Sequence, residues 1–207
     1  WSVQHSLGDL DNLIIGIDWS WIGEQTRILG SFFMDEWDPY NTFNKGNNRN
    51  WFGAQIGFTY KPNTLLKDML IKMEYTVIDP RVYNHRFEIN TPEHHGYPLG
   101  FWAGAHTEDI WIGWYWFINN NSYLKFIFES TKIGEIPPVT NQYENISIDF
   151  LDQNVKIRNV IGLEYEYGLS NGIILKFASN YFSSNNLGYQ QDNFVEYSFS
   201  VLYNIPY

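Results

Sequence analysis

The chain has 207 residues, a formal net charge of −10 and no cysteine; aromatic residues make up 19% of it and charged residues only 17%. The acidic balance excludes a partner that needs a basic face, such as nucleic-acid phosphates or anionic lipid, and the missing cysteines exclude disulfides and thiolate metal sites. No stretch approaches the roughly 18 to 20 consecutive apolar residues of a membrane helix, so 9 Trp, 15 Tyr and 15 Phe must serve something else.

Taken in chain order, the dominant hydrophobic period is two, the period of a strand with one apolar and one polar face. Leu13, Ile15, Ile17, Trp19 and Trp21 alternate with Gly16, Asp18 and Ser20, and weaker alternation occupies 26–36 and 51–60. Met69, Ile71, Met73, Tyr75 and Val77 alternate with Lys72, Glu74 and Thr76, followed by strands over 108–117 and 122–131. The clearest pattern is at 155–167, where Val155, Ile157, Ile161, Leu163, Tyr165 and Tyr167 face away from Lys156, Arg158, Gly162, Glu164 and Glu166. Ile173, Leu175, Phe177 and Tyr181 continue it, and a last strand over about 194–207 carries Val195, Tyr197, Phe199, Val201, Tyr203, Ile205 and Tyr207 on one face. The sum is about nine strands with no helical period, an all-β chain.

The connections alternate in length: short at 23–25, 61–67, 118–121 and 168–171, long at 37–50, 78–107, 132–154 and 183–193. Short turns at one end and long loops at the other are the habit of antiparallel transmembrane β-barrels, whose strands need about 9 to 11 residues. Residues 1–207 are therefore expected to form part of a single outer-membrane barrel domain, with the 78–107 loop extracellular or folded into the lumen. Two further patterns agree. Trp19, Trp21, Tyr60, Trp114, Trp116, Tyr165, Tyr167 and Tyr203 fall on the apolar face near the short-turn end, as an interfacial girdle would, with Tyr75 and Tyr181 as a sparser upper set. The polar face gathers Asp18, Arg27, Asp35, Gln55, Lys72, Glu74, Lys125, Glu129, Lys156, Arg158, Glu164, Glu166, Lys176 and Glu196. Parity across the 168–172 hairpin puts Lys176 opposite Glu164 or Glu166, and Gly16, Gly53, Gly57, Gly113 and Gly162 read as small residues of the same face. An odd strand count and a start at Trp1 lead to the expectation that N-terminal strands of a larger barrel precede this chain.

The 78–107 connection is too long and too aromatic to be a passive linker. Its Tyr83-Asn84-His85-Arg86, followed by His95-Gly96-Tyr97-Pro98-Leu99-Gly100, Gly104 and Asp109, resembles the capsule assembly protein Wzi family. The resemblance extends to Phe33-Met34-Asp35-Glu36 and to Tyr75 leading into Pro80, and covers about 26–117 by motif. It implies an outer-membrane barrel, the C-terminal portion of a longer protein, that holds capsular polysaccharide at the cell surface. The partners implied are surface polysaccharide, outer-membrane lipid and, through the terminal aromatic pattern, the barrel assembly machinery during biogenesis.

Sugar recognition needs rings for the apolar faces of saccharides and directional polar groups for their hydroxyls. The candidate set is Trp37, Asp38, Tyr40, Trp51, Tyr83, His85, Arg86, His94, His95, Trp102 and His106, each of which packing within the loops would equally explain. His85 and Arg86 would suit a glycan carrying uronic acid. The spacing of His85, Glu93, His94, His95, His106, Glu108 and Asp109 is not diagnostic of a metal site, and none is expected. No Ser-His-Asp set, opposed carboxylate pair or phosphate loop is marked, so neither catalysis nor a cofactor is expected. The alternatives are a channel for a small solute and, less favoured, a soluble secreted carbohydrate-active β protein.

Overall fold

Alternation of apolar and polar side chains gives each strand one wettable face, and hydrogen-bonded neighbours must agree in parity if the sheet is to have two distinct sides. The computed structural model describes residues 14–36, 50–63, 68–84, 93–94, 97–98, 100–136, 149–151, 154–169, 172–185 and 192–203. Eleven strands lie within them: β1 (Ile15–Ile22), β2 (Thr26–Glu36), β3 (Trp51–Tyr60), β4 (Met69–Ile78), β5 (Glu93–His94), β6 (Tyr97–Pro98), β7 (Thr107–Asn119), β8 (Ser122–Ile133), β9 (Lys156–Gly168), β10 (Ile173–Asn185) and β11 (Asp192–Tyr203). The nine long ones form one sheet in chain order, β1-β2-β3-β4-β7-β8-β9-β10-β11, every pairing antiparallel, while β5 and β6 make a separate two-residue hairpin. No helix occurs among the described residues. The sheet is open there, with β1 and β11 at its edges.

Each expected strand is present; of the last, expected over about 194–207, residues 204–207 with Ile205 and Tyr207 lie outside the described residues. One expected connection changes: β10 runs to Asn185 and β11 starts at Asp192, because Ser183 and Ser184 pair with Asn193 and Asp192. The long connection expected at 183–193 thus narrows to 186–191. The apolar alternation stops before the ladder does, since backbone hydrogen bonds need no apolar side chain.

Register makes the two faces explicit. Trp19, Trp21, Tyr60, Trp114, Trp116, Tyr165, Tyr167 and Tyr203 all share one face, here the outer one, with Ile56, Met73, Ile110, Phe126, Leu163, Phe177 and Phe199. The other face, the inner one, holds the charged residues named above. Lys176 pairs directly with Glu166, as parity required, and its ammonium reaches diagonally to Glu164 at 3.0 Å. Lys125 approaches the same carboxylate at 4.0 Å, and the Tyr123 hydroxyl donates to Glu166 at 2.9 Å. The inner-face glycines sit beneath large neighbours: a Cβ on Gly57 would meet Leu29, and one on Gly113 the Trp111 ring.

The rows of paired residues are not level with the strand ends. From Ile22, at the short-turn end of β1, the row runs through Arg27, Thr59, Lys72, Gly113 and Ile127 to Gly162, six residues short of the β9 end at Gly168. Six strand-to-strand steps thus produce a stagger of about one residue per strand. At a rise of about 3.3 Å and a spacing of about 4.8 Å, that is a tilt of roughly 35°, the value at which sheets close into barrels.

Candidate functional site

The connection from Ile78 to Thr107 begins with a turn fixed by Asp79, whose carboxylate accepts the Arg81 backbone N–H at 3.0 Å and pairs with the Arg81 side chain at 3.2 Å. That guanidinium lies over the Trp51 ring, 5.7 Å from its centroid. The loop returns through a second turn, in which Gly104, at φ 77°, donates its N–H to Phe101 O at 2.9 Å. A side chain would strain that left-handed position.

Between the two turns lies a buried apolar cluster of Trp51, Ile78, Val82 and Ala105, flanked by Phe33, Tyr83 and Phe101. Phe33, Trp51 and Ile78 are inner-face residues at the long-loop end of β2, β3 and β4. Both described ends of the loop therefore pack on the inner face of the sheet. Gly53 makes room for this, since a Cβ there would run into the Phe33 ring and Ile78 Cδ1.

Polar groups lock the packing. The pairing of β2 with β3 shifts between Met34 and Glu36, so that two residues oppose Trp51, a β-bulge of the kind that re-aims side chains. Asp35 sits in the bulge, 1% exposed, and accepts the Tyr83 backbone N–H at 2.7 Å. The Tyr83 ring stacks on Phe33 at 5.6 Å, and its hydroxyl accepts the Phe101 N–H at 3.2 Å. Burial pushes the Tyr83 phenol above its ordinary value of 10; the Phe101 N–H opposes that shift and the negative charge of Asp35 adds to it.

His106 is the second lock. It is 3% exposed; its Nε2 accepts the Leu151 N–H at 2.8 Å, and its Nδ1 lies 2.8 Å from Glu135 O, so Nδ1 carries the proton and donates it. Its backbone N–H reaches Asp79 O at 3.3 Å, and its carbonyl accepts the Gly134 N–H at 2.8 Å. One residue thus ties the end of the 79–106 connection to the segments at 134–136 and 149–151.

The candidate sugar-binding residues divide accordingly. Trp51 and Tyr83 come together in the apolar cluster and His106 stands apart at the end of the connection; Trp51 and His106 are buried, and His106 has spent both ring nitrogens, so for these two the structure describes packing. Trp102 is different: the residue is 53% exposed, and its ring stands on the Arg158 guanidinium at 5.0 Å. His85, Arg86, His95, Trp37, Asp38 and Tyr40 lie outside the described residues, and of His94 only the backbone, paired with Tyr97, is described. Reading the sequence did not single out Arg158, Glu129 or Phe182 as neighbours of the loop. Parity had placed Arg158 and Glu129 on the inner wall, but nothing in one dimension says how far across that wall Trp102 reaches.

Chemically, the inner wall offers ion pairs and hydrogen-bonding groups. Glu164 and Glu166 are engaged by Lys125, Lys176 and Tyr123, and Asp109 accepts the Thr131 hydroxyl at 2.7 Å. Among the described residues no group of three or more His, Asp or Glu is arranged to hold a metal ion. No protein-family model matches the chain, and no curated protein matches it in sequence.

Proposed function

We propose that this chain is part of the wall of an outer-membrane β-barrel that binds or organises capsular or exo-polysaccharide at the cell surface without catalysing a reaction. The observation that carries the membrane half of this reading is the inversion of burial. Among the described residues only six apolar side chains are buried, Trp51, Ile78, Val82, Ala105, Val160 and Ala178, against 34 large exposed hydrophobics. In water a single-layer sheet with such a face would lack the burial that offsets the entropy of ordering its backbone; in lipid that face is solvated. The stagger supports the same reading, since a strand of 10 residues tilted by roughly 35° rises about 27 Å, close to the roughly 25 Å apolar band of such barrels.

The polysaccharide half rests on the loop motif and its resemblance to the Wzi family, and on the exposed Trp102 above a wall rich in hydrogen-bonding groups. Packing of the loop onto the inner wall at the long-loop end favours a covered mouth and binding over a channel for a small solute. Outer-membrane lipid is then the partner of the apolar face, and the aromatic alternation along β11 is the pattern offered to the assembly machinery.

The test uses the intact polypeptide extracted in detergent from membranes. A boiling-dependent shift in gel mobility, co-fractionation with outer membrane and retention on immobilised capsular polysaccharide are the expected results. A soluble protein without a mobility shift would overturn the membrane reading, and a membrane barrel that conducts solute but retains no polysaccharide would favour the channel.

A further inference from the structure

Aromatic rings and cations share the inner face at both ends, Tyr115 with Lys72 and Lys125 toward the short turns, and at the long-loop end several rings with Arg158. The Arg158 guanidinium carbon lies 5.0 Å from the Trp102 ring centroid and 5.5 Å from that of Phe182. Phe182 in turn stacks on Phe194 across β10 and β11, centroids 4.7 Å apart and planes within 17°. An ion pair with Glu129 of the neighbouring strand fixes the guanidinium in place. The result is a continuous stack from the loop, across β9 and β10, to β11. Trp102 stands proud while its neighbours Val82, Phe101 and Ala105 are packed down. One face of its indole is held against a cation; the rest is open to whatever enters the mouth.

We propose that Trp102, Arg158, Phe182 and Phe194 form a saccharide-binding track on the inner wall, and that the sugar it takes is uncharged. The proposal rests on the polysaccharide reading above and deepens it by naming the subsite and the ligand class. The two ends of the stack, Trp102 and Phe194, are exposed and present flat apolar surface to the C–H face of a pyranose, with Phe182 held between Arg158 and Phe194 as their support, and an arginine held in register by a carboxylate offers donors and acceptors side by side for vicinal hydroxyls. Charge decides the class. Asp109 lies within electrostatic reach of Glu129, Glu74 and Arg158, and Arg158 is already balanced by Glu129. Among the described residues around Asp109, three carboxylates outnumber Arg158 even when Lys156, on the same face of β9, is added. A uronate or sialate would enter a field of its own sign, whereas neutral hydroxyls accept from and donate to the same groups without that cost.

The experiment is a glycan array carrying uncharged, uronate, sialylated and amino saccharides, probed with the full polypeptide in detergent. Wild type, Trp102→Ala, Trp102→Phe and Phe182→Leu are compared, with the mobility shift on boiling confirming that each variant folds. The expected result is retention of uncharged glycans, weakened up to about tenfold by Trp102→Ala and less by Trp102→Phe, as the loss of one ring stack requires. Retention of acidic glycans alone would overturn the charge argument. Uncharged glycans held equally by wild type and both Trp102→Ala and Phe182→Leu would overturn the track while leaving the polysaccharide reading in place. No retention of any glycan by folded wild type would overturn both.

Discussion

His106 joins three segments distant in sequence, and its removal tests whether the loops are clipped together through one imidazole. In His106→Ala the Leu151 N–H and the Glu135 carbonyl each lose a partner at 2.8 Å, and the contact of the ring with Phe150, at 5.7 Å, disappears. Two neutral hydrogen bonds at about 1 kcal/mol each, plus about 1 to 2 kcal/mol for a buried ring, give a local loss of about 3 to 4 kcal/mol. The loss falls on the loops, because no strand pairing uses the side chain. Hydrogen exchange should therefore show protection at the Leu151 amide falling by about a hundredfold or more, with β7 and β8 amides as the unchanged internal reference. Gly134 supplies a cross-check, since a Cβ there would run into the imidazole. Gly134→Ala should by itself open the clip, but should add little on top of His106→Ala, where the space has been vacated. Unchanged Leu151 protection in His106→Ala, or fully additive costs in the double variant, would refute the reasoning.

Three smaller perturbations probe the rest of the framework. Asp35→Ala leaves the Tyr83 N–H without the acceptor now at 2.7 Å and should loosen the loop by about 1 to 3 kcal/mol, seen as faster proteolysis after Arg81, whereas Asp35→Asn, which keeps a carbonyl oxygen, should cost much less. The raised pKa of Tyr83 means the docked state holds its proton more tightly than the undocked one; docking is thus intact below about pH 10 and weakens as pH rises through the docked value, a trend that Tyr83→Phe should abolish in an ultraviolet titration. Lys176→Met removes the 3.0 Å pair with Glu164, a carboxylate only 8% exposed that keeps Lys125 at 4.0 Å, and should cost about 1 to 2 kcal/mol, a difference that 0.5 M salt should shrink in denaturant melts.

The strands were legible in the sequence because parity is a local property. Trp19 with Trp21, or Tyr165 with Tyr167, announces its face without knowledge of any partner, and the same arithmetic put Lys176 opposite Glu164 or Glu166. Both are engaged, Glu166 as the rung partner and Glu164 by the ammonium, because the length of the lysine side chain lets it choose among carboxylates on one face. The polar ends of β10 and β11 were missed since Ser183, Ser184, Asn193 and Asp192 carry no apolar signal, only backbone. The loop was harder still. Residue type and company make His106 a candidate glycan ligand or a packing residue, and one dimension does not choose between them. Its burial follows from two acceptor and donor groups, at 135 and 151, that converge on it only in three dimensions. The Trp102 contact with Arg158 spans 56 residues of sequence and depends on how far the returning loop leans across β7 and β8.

Why the long connection turns inward can be argued from its backbone. A loop laid on the outer face would bring its N–H and C=O groups against Ile56, Tyr75 and Ile110, side chains that offer no partner and that, in a membrane, face a solvent offering none either. On the inner wall the same groups find them: Asp35 for the Tyr83 N–H, and the Tyr83 hydroxyl for the Phe101 N–H. The bulge in β2 matters here, because it sets two residues against Trp51 at the one place where a carboxylate must meet the incoming turn. The apolar residues of the loop then bury against the few inner-face hydrophobics at that end, Phe33, Trp51 and Ile78, and the single described hydrophobic cluster lies between loop and wall rather than between two layers. In that arrangement the strands supply rigidity through their ladders and the described ends of the loop supply the side chains that pack on this end of the inner face. Trp102 is left exposed because it overhangs the polar part of the wall, where Arg158 and not an apolar rung is beneath it.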